Sequence, residues 1–145
     1  MSLKNVNTAL AIACVLFTLY LGISFVLTPE TAVHGFGLPN LPSGDGGGFL
    51  VVKGSREIAM GLAMGVLLVA DHRRALGWVV LMVAVAPFGD MVNVLAHHGS
   101  TAAAFGIHGL TSALIAVTGL LILRETRKAR KAREAAAPAP AAQPA

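Results

Sequence analysis

Four apolar runs dominate the chain, at about 8–27, 49–70, 75–96 and 101–123. Each is about as long as a helix needs to be to cross a hydrocarbon core of roughly 30 Å at 1.5 Å per residue. A chain of 145 residues with 55% hydrophobic and 12% charged residues has too little polar surface to cover such runs in water. Its mean hydropathy is +0.72. The sequence therefore predicts an all-α fold, an integral-membrane four-helix bundle over residues 1–123.

Polar connections separate the runs. Pro29, Pro39 and Pro42 interrupt the first, and Ser43 to Gly48 reads as a flexible linker. Its glycines lack the Lys-Ser/Thr ending of a phosphate-binding loop and follow no strand. Ala32 to Leu38, with His34 and Phe36, reads as a short interfacial segment over the mouth of the bundle. Asp71-His72-Arg73-Arg74 and His97-His98-Gly99-Ser100 are tight turns. Pro87 cannot donate to the Val83 carbonyl and should kink the third run. Residues 124–134 read as a basic helical extension, and residues 135–145 as a disordered Ala/Pro tail.

The distribution of charge sets the orientation. Six of the eleven Lys and Arg lie between Arg124 and Arg133. Lys4, Arg73 and Arg74 fall on the same side, and the first and third loops contain no Lys or Arg. The positive-inside rule then gives a multi-pass cell-membrane protein with N and C termini cytoplasmic. The basic extension faces membrane lipids of the inner leaflet, and no nucleic-acid partner is expected. A cleaved signal peptide is the rival reading of the first run. That run is too long for one, and no small-x-small site follows it.

The charges inside the runs are the informative exceptions. Lys53, Arg56 and Glu57 lie roughly 6 to 12 Å in from the outer start of the second run. Asp90 lies about 9 Å from the outer end of the third, with Asn93 shallower. His108, about 9 to 10 Å into the fourth, is followed by Thr111 and Ser112. Tyr20 and Ser24 share a face of the first. Intramembrane charge is costly, and three helices bring theirs to one level. Two cations, Lys53 and Arg56, balance two anions, Glu57 and Asp90.

Two readings follow. A register-fixing ion-pair network would be structural only. Gly61-x-x-x-Gly65, Gly106 and Gly109 already supply close-packing sites, so the bundle has no need of buried charge. The functional reading is an outward-facing polar pocket for an apolar small molecule or lipid. Its proton-transfer residues would be Asp90, His108 and Glu57; its binding residues would be Lys53, Arg56, Asn93, Thr111, Ser112 and Tyr20. Cofactor-free isomerisation or cyclisation suits such a site. A proton-coupled carrier and an accessory subunit of a membrane complex are the alternatives. The Gly61/Gly65 face is the candidate contact for a homo-oligomer. His34, His97, His98 and His108 have no metal-ligand spacing, and His97 and His98 point about 100° apart on a helix. No metal or cofactor is expected. The lone cysteine, Cys14, reads as a small hydrophobe.

The motifs Phe36-Gly37-Leu38-Pro39, Lys53-Gly54-Ser55-Arg56-Glu57-Ile58-Ala59, Gly89-Asp90 and Gly106-Ile107-His108-Gly109 resemble those of a bacterial and fungal family of small four-helix membrane proteins of unknown function. That family looks distantly similar to the DoxX-like proteins. It usually carries Asp where this chain has Glu57. The resemblance spans about Thr8 to Leu123; it implies four spanning helices, points to the same charged positions, and implies no activity.

Overall fold

The computed structural model describes residues 3–40 and 45–136. Its helices are α1 (Leu3–Leu27), α2 (Pro29–His34), α3 (Gly46–Val69), α4 (Arg73–Val83), α5 (Val85–Ala96), α6 (Thr101–Ala103) and α7 (Leu110–Ala136). A π-helical stretch, Ala104–Gly109, joins α6 to α7. No strand occurs among the described residues.

Helix α1 buries one stripe, Asn7, Ala11, Val15, Thr18, Gly22 and Phe25, at the three- and four-residue spacing of a single helix face. The hydroxyls of Thr8, Ser24 and Thr28 donate to carbonyls four residues back, so they need no other partner.

Two helix pairs build the fold, α1 with α3 and α4 with α7. Each pair crosses at glycines, reciprocally for Gly22 and Gly54. A Cβ on Gly54 would stand 2.7 Å from the Gly22 carbonyl oxygen, and one on Gly22 would stand 2.8 Å from that of Gly54. A Cβ on Gly119 would stand 3.0 Å from the Gly77 carbonyl oxygen. Backbone stands within 3.0 Å of the added Cβ at Gly22, Gly54 and Gly119, so side-chain movement alone cannot make room at these three. Gly54→Leu and Gly119→Leu should each cost about 1–3 kcal/mol as overpacking, measured by thermal unfolding in detergent.

Gly61 and Gly65 are also turned inward. A Cβ on Gly61 would meet Leu19, and one on Gly65 would touch Val15, so these glycines serve the α1–α3 contact within the chain. Gly106 faces open space. It plays no part in close approach, contrary to the expectation from its spacing, and Gly106→Ala should leave the melting temperature unlowered, or raise it by the helix preference of alanine.

The connections differ from the sequence reading in several places. Pro29 heads α2, because its fixed φ and missing N–H suit the first helical position. Helix α3 starts at Gly46, inside the expected linker; residues 41–44, including Pro42, lie outside the described residues. Helix α7 continues through Ala135 and Ala136, since alanine propagates a helix already formed; residues 137–145 of the expected tail lie outside the described residues. The third run breaks at Ala84, within the turn preceding Pro87. The two tight turns close as Schellman motifs. His72 and Gly99 donate to the carbonyls of Leu67 and Val94, with Asp71 and His98 at positive φ (54° and 55°).

The core is Ala11, Val15, Met64, Leu76, Val80, Val83, Ala84, Ile115 and Ile122, with Cys14 packed against it. Leu3–Leu27, Arg73–Ala96 and Thr101–Ala136 are long and apolar enough to cross a membrane by length and composition. Helix α3 matches them in length but carries Lys53, Arg56 and Glu57 together. Large apolar side chains cover the outside, among them Leu16, Leu62, Val66, Val69, Phe88 and Leu114. A surface of this kind is that of a membrane protein rather than of a monomer in water.

Candidate functional site

Lys53 projects from α3 toward α5. Its Nζ lies 2.9 Å from Asp90 Oδ2 and 3.3 Å from Oδ1, donating to both. The same nitrogen lies 3.6 Å from Glu57 Oε1, one turn along α3. The rings of Phe25 and Phe36 stand 5.6 and 5.5 Å from it, within cation–π range. One ammonium thus bridges two carboxylates between two aromatic rings. The geometry offsets the cost of taking these charges out of water.

This cluster forms the polar wall of a cavity of about 330 Å³, within the size range of small-molecule pockets. Phe17, Leu21, Phe25, Phe36, Ile107 and Ile115 supply most of the apolar lining; His108 and Thr111 face it from the fourth run.

Phe36 roofs the cavity, and two anchors hold the roof. His108 Nε2 lies 2.8 Å from the Phe36 carbonyl oxygen. A carbonyl has no proton to give, so Nε2 carries the proton and donates it. The His108 and Phe36 rings pack against each other at a 55° tilt, their centroids 4.6 Å apart. One residue on, the Gly37 carbonyl accepts the Ser100 N–H at 2.8 Å. Gly37 has φ +97°, and a Cβ there would run into Ala103. Gly37→Ala should cost about 1–3 kcal/mol of backbone strain and loosen the roof, seen as faster amide exchange across residues 35–38.

The structure separates the expected site residues. Lys53, Glu57, Asp90, His108 and Thr111 line the cavity. Arg56 is exposed and makes no ion pair among the described residues. At 100° per residue, Lys53 and Glu57 lie about 40° apart, and Arg56 falls about 60° to the other side of Lys53. The expected balance of two against two therefore becomes one cation against two carboxylates in the cavity. Asn93 is exposed for the same geometric reason, since the inward residues of α5 are Pro87, Asp90 and Val94. The Ser112 hydroxyl donates to the Ala84 carbonyl at 2.9 Å, serving the helix break. Tyr20 is 66% exposed and points away. His108 is tied to Phe36, with no hydrogen bond to Asp90. No set of three His, Cys, Asp or Glu side chains suited to a metal ion occurs among the described residues.

Two parts of this arrangement were not read from sequence. The sequence puts Phe36 in a segment over the mouth of the bundle and singles out nothing for Phe25, so the cation–π contacts of both with Lys53 are new. The π-helical stretch that carries His108 has no periodic signature, though such stretches are frequent at functional sites.

Fold and cavity together define a small all-helical membrane-type protein with a charged group inside an apolar pocket. The chain belongs to the family described as Domain of unknown function (DUF4267), whose match covers residues 15–122. No curated protein and no solved structure matches it.

Proposed function

We propose that this chain is a four-span membrane protein that binds an apolar small molecule or lipid in the cavity beneath Phe36. The spans would be α1, α3, the α4–α5 run and the α6–α7 run, with both termini cytoplasmic. The observation that carries the binding reading is Lys53, held between Asp90 and Glu57 on the wall of an otherwise apolar cavity. A bundle crossed on glycines needs no such cluster to pack.

The wall is rich in acceptors. Two carboxylates and the Thr111 hydroxyl share the wall with a single ammonium, so an apolar ligand with a hydroxyl or amine donor suits it best. If chemistry follows, the ionised one of Asp90 and Glu57 takes a proton from the ligand, and the other, entering the cycle protonated, gives its own proton back at a second position, so that the pair keeps one proton throughout. Lys53 stabilises the ionised carboxylate, and the transfer needs no cofactor. The likeness to DoxX-like proteins rests on the short motifs alone. A single-chain carrier has less support. Ala11, Val15, Met64, Leu76, Val80 and Ile122 fill the layer between the cavity and the basic end.

Lys4, Arg73, Arg74, Arg130 and Arg133 gather around one cleft at the end away from Lys53, which supports the orientation. Labelling in intact cells tests it. In a Cys14→Ser background, His97→Cys should react with a membrane-impermeant maleimide, and Ala132→Cys only after permeabilisation. The opposite pattern would reject the orientation.

A further inference from the structure

The basic end of the molecule holds a second concavity, distinct from the cavity beneath Phe36. Between the start of α4 and the last turns of α7 lies a cleft of about 690 Å³, walled by Lys4, Arg74, Arg130 and Arg133. It adjoins a smaller hollow of about 190 Å³, to which Arg74, Arg127 and Arg130 contribute their side chains.

The charges there are unevenly matched. Arg73 is committed to Glu125 at 3.0 Å and to the Thr8 hydroxyl at 2.9 Å. Arg130 Nε meets Glu134 at 3.5 Å in an exposed pair of little strength. Asp71 is the remaining carboxylate on the rim. Lys4, Arg74, Arg127 and Arg133 have no carboxylate partner among the described residues. Three guanidinium groups converging on a small hollow make a site for a phosphate, which they can grip with paired N–H donors.

The floor of the hollow is apolar, made by Trp78 and Leu123. Trp78 is 51% exposed and sits one helical turn from Arg74. An arginine with a half-exposed tryptophan one turn deeper matches the boundary between headgroup and acyl chain. A soluble phosphate would use the arginines alone, whereas a phospholipid would use both.

We propose that the smaller hollow between α4 and α7 binds the phosphate of one anionic glycerophospholipid, with Arg74, Arg127 and Arg130 on the headgroup and Trp78 with Leu123 along the first acyl carbons. This site is independent of the ligand in the other cavity. It is more specific than the diffuse attraction of a polybasic tail, because Lys128 and Lys131 lie outside both hollows.

The test is native mass spectrometry of the full chain, delipidated in detergent and titrated with phosphatidylglycerol or phosphatidylcholine of the same acyl chains. One phosphatidylglycerol should bind per chain, about tenfold tighter than phosphatidylcholine. Arg74→Gln with Arg127→Gln should weaken it about tenfold at unchanged helicity, and Arg130→Gln alone should weaken it by less. Lys128→Gln with Lys131→Gln removes the same charge outside the cleft and should leave binding intact. Equal affinity for the two lipids, or equal losses in the two double variants, would overturn the proposal. So would displacement of the lipid by millimolar inorganic phosphate, which would assign the site to a soluble anion.

Discussion

Lys53→Met should lower stability by about 3 kcal/mol, the typical cost of leaving one side of a partly buried ion pair without its partner. The ammonium is the cavity's cation, at 2.9 Å from Asp90 and 3.6 Å from Glu57. Its loss leaves two carboxylates facing each other across an apolar space. Thermal unfolding in detergent measures the effect. Asp90→Asn added to Lys53→Met should recover part of the loss, because the remaining repulsion is removed. A double-mutant cycle with no coupling between the two positions would show that the contact contributes nothing. Apolar replacement of all three residues should give a stable protein, as the glycine crossings hold the helices without them.

Arg73→Ala should be at least as severe, at about 3–5 kcal/mol. The Arg73 and Glu125 side chains are only 10% and 14% exposed, and their separation is 3.0 Å. Asn7, fully buried, donates to Glu125 Oε2 at 2.6 Å and to the Leu121 carbonyl at 3.2 Å. The Arg73 guanidinium also reaches the Thr8 hydroxyl on α1. One carboxylate thus ties α1, α4 and α7 together, and truncation of Arg73 breaks the tie while leaving Glu125 buried. Glu125→Gln should cost less, since the amide oxygen still accepts from Asn7 and Arg73, so that only the charge on Arg73 loses its counter-ion. A melting temperature for Arg73→Ala equal to that of the parent would show that the cluster does not hold the helices.

This lower cluster was hidden in the sequence. Arg73 read as a turn residue and Glu125 as one acid in a basic run; what pairs them is the antiparallel contact of α4 with α7, which no local pattern encodes. The upper cluster was legible, because charge in an apolar run is conspicuous wherever it folds. Depth along each run brought Lys53, Glu57, Asp90 and His108 to one level. Facing was harder. Arg56 and Asn93 sit one helical step from inward residues, and that step of 100° decides whether a side chain lines the cavity or leaves it. The crossing glycines show the same limit. Gly61 and Gly65 announce themselves by spacing, whereas Gly22 with Gly54 and Gly77 with Gly119 are recognised only once the helices are paired.

The π-helical stretch and the positive φ of Gly37 set where the His108 ring and the Phe36 roof meet. Both depend on contacts between segments some 70 residues apart in sequence (Phe36 to His108). No property of either segment alone foretells them.

The central claim is that the cavity beneath Phe36 holds an apolar ligand. Native mass spectrometry of the purified chain, released gently from detergent, tests it most directly, in the parent and in Thr111→Trp, which fills the cavity from α7. One small apolar adduct per parent chain is expected, absent from Thr111→Trp at unchanged helicity. An adduct retained in full by the filled variant, or a parent chain that binds none when incubated with lipid extract, would contradict it.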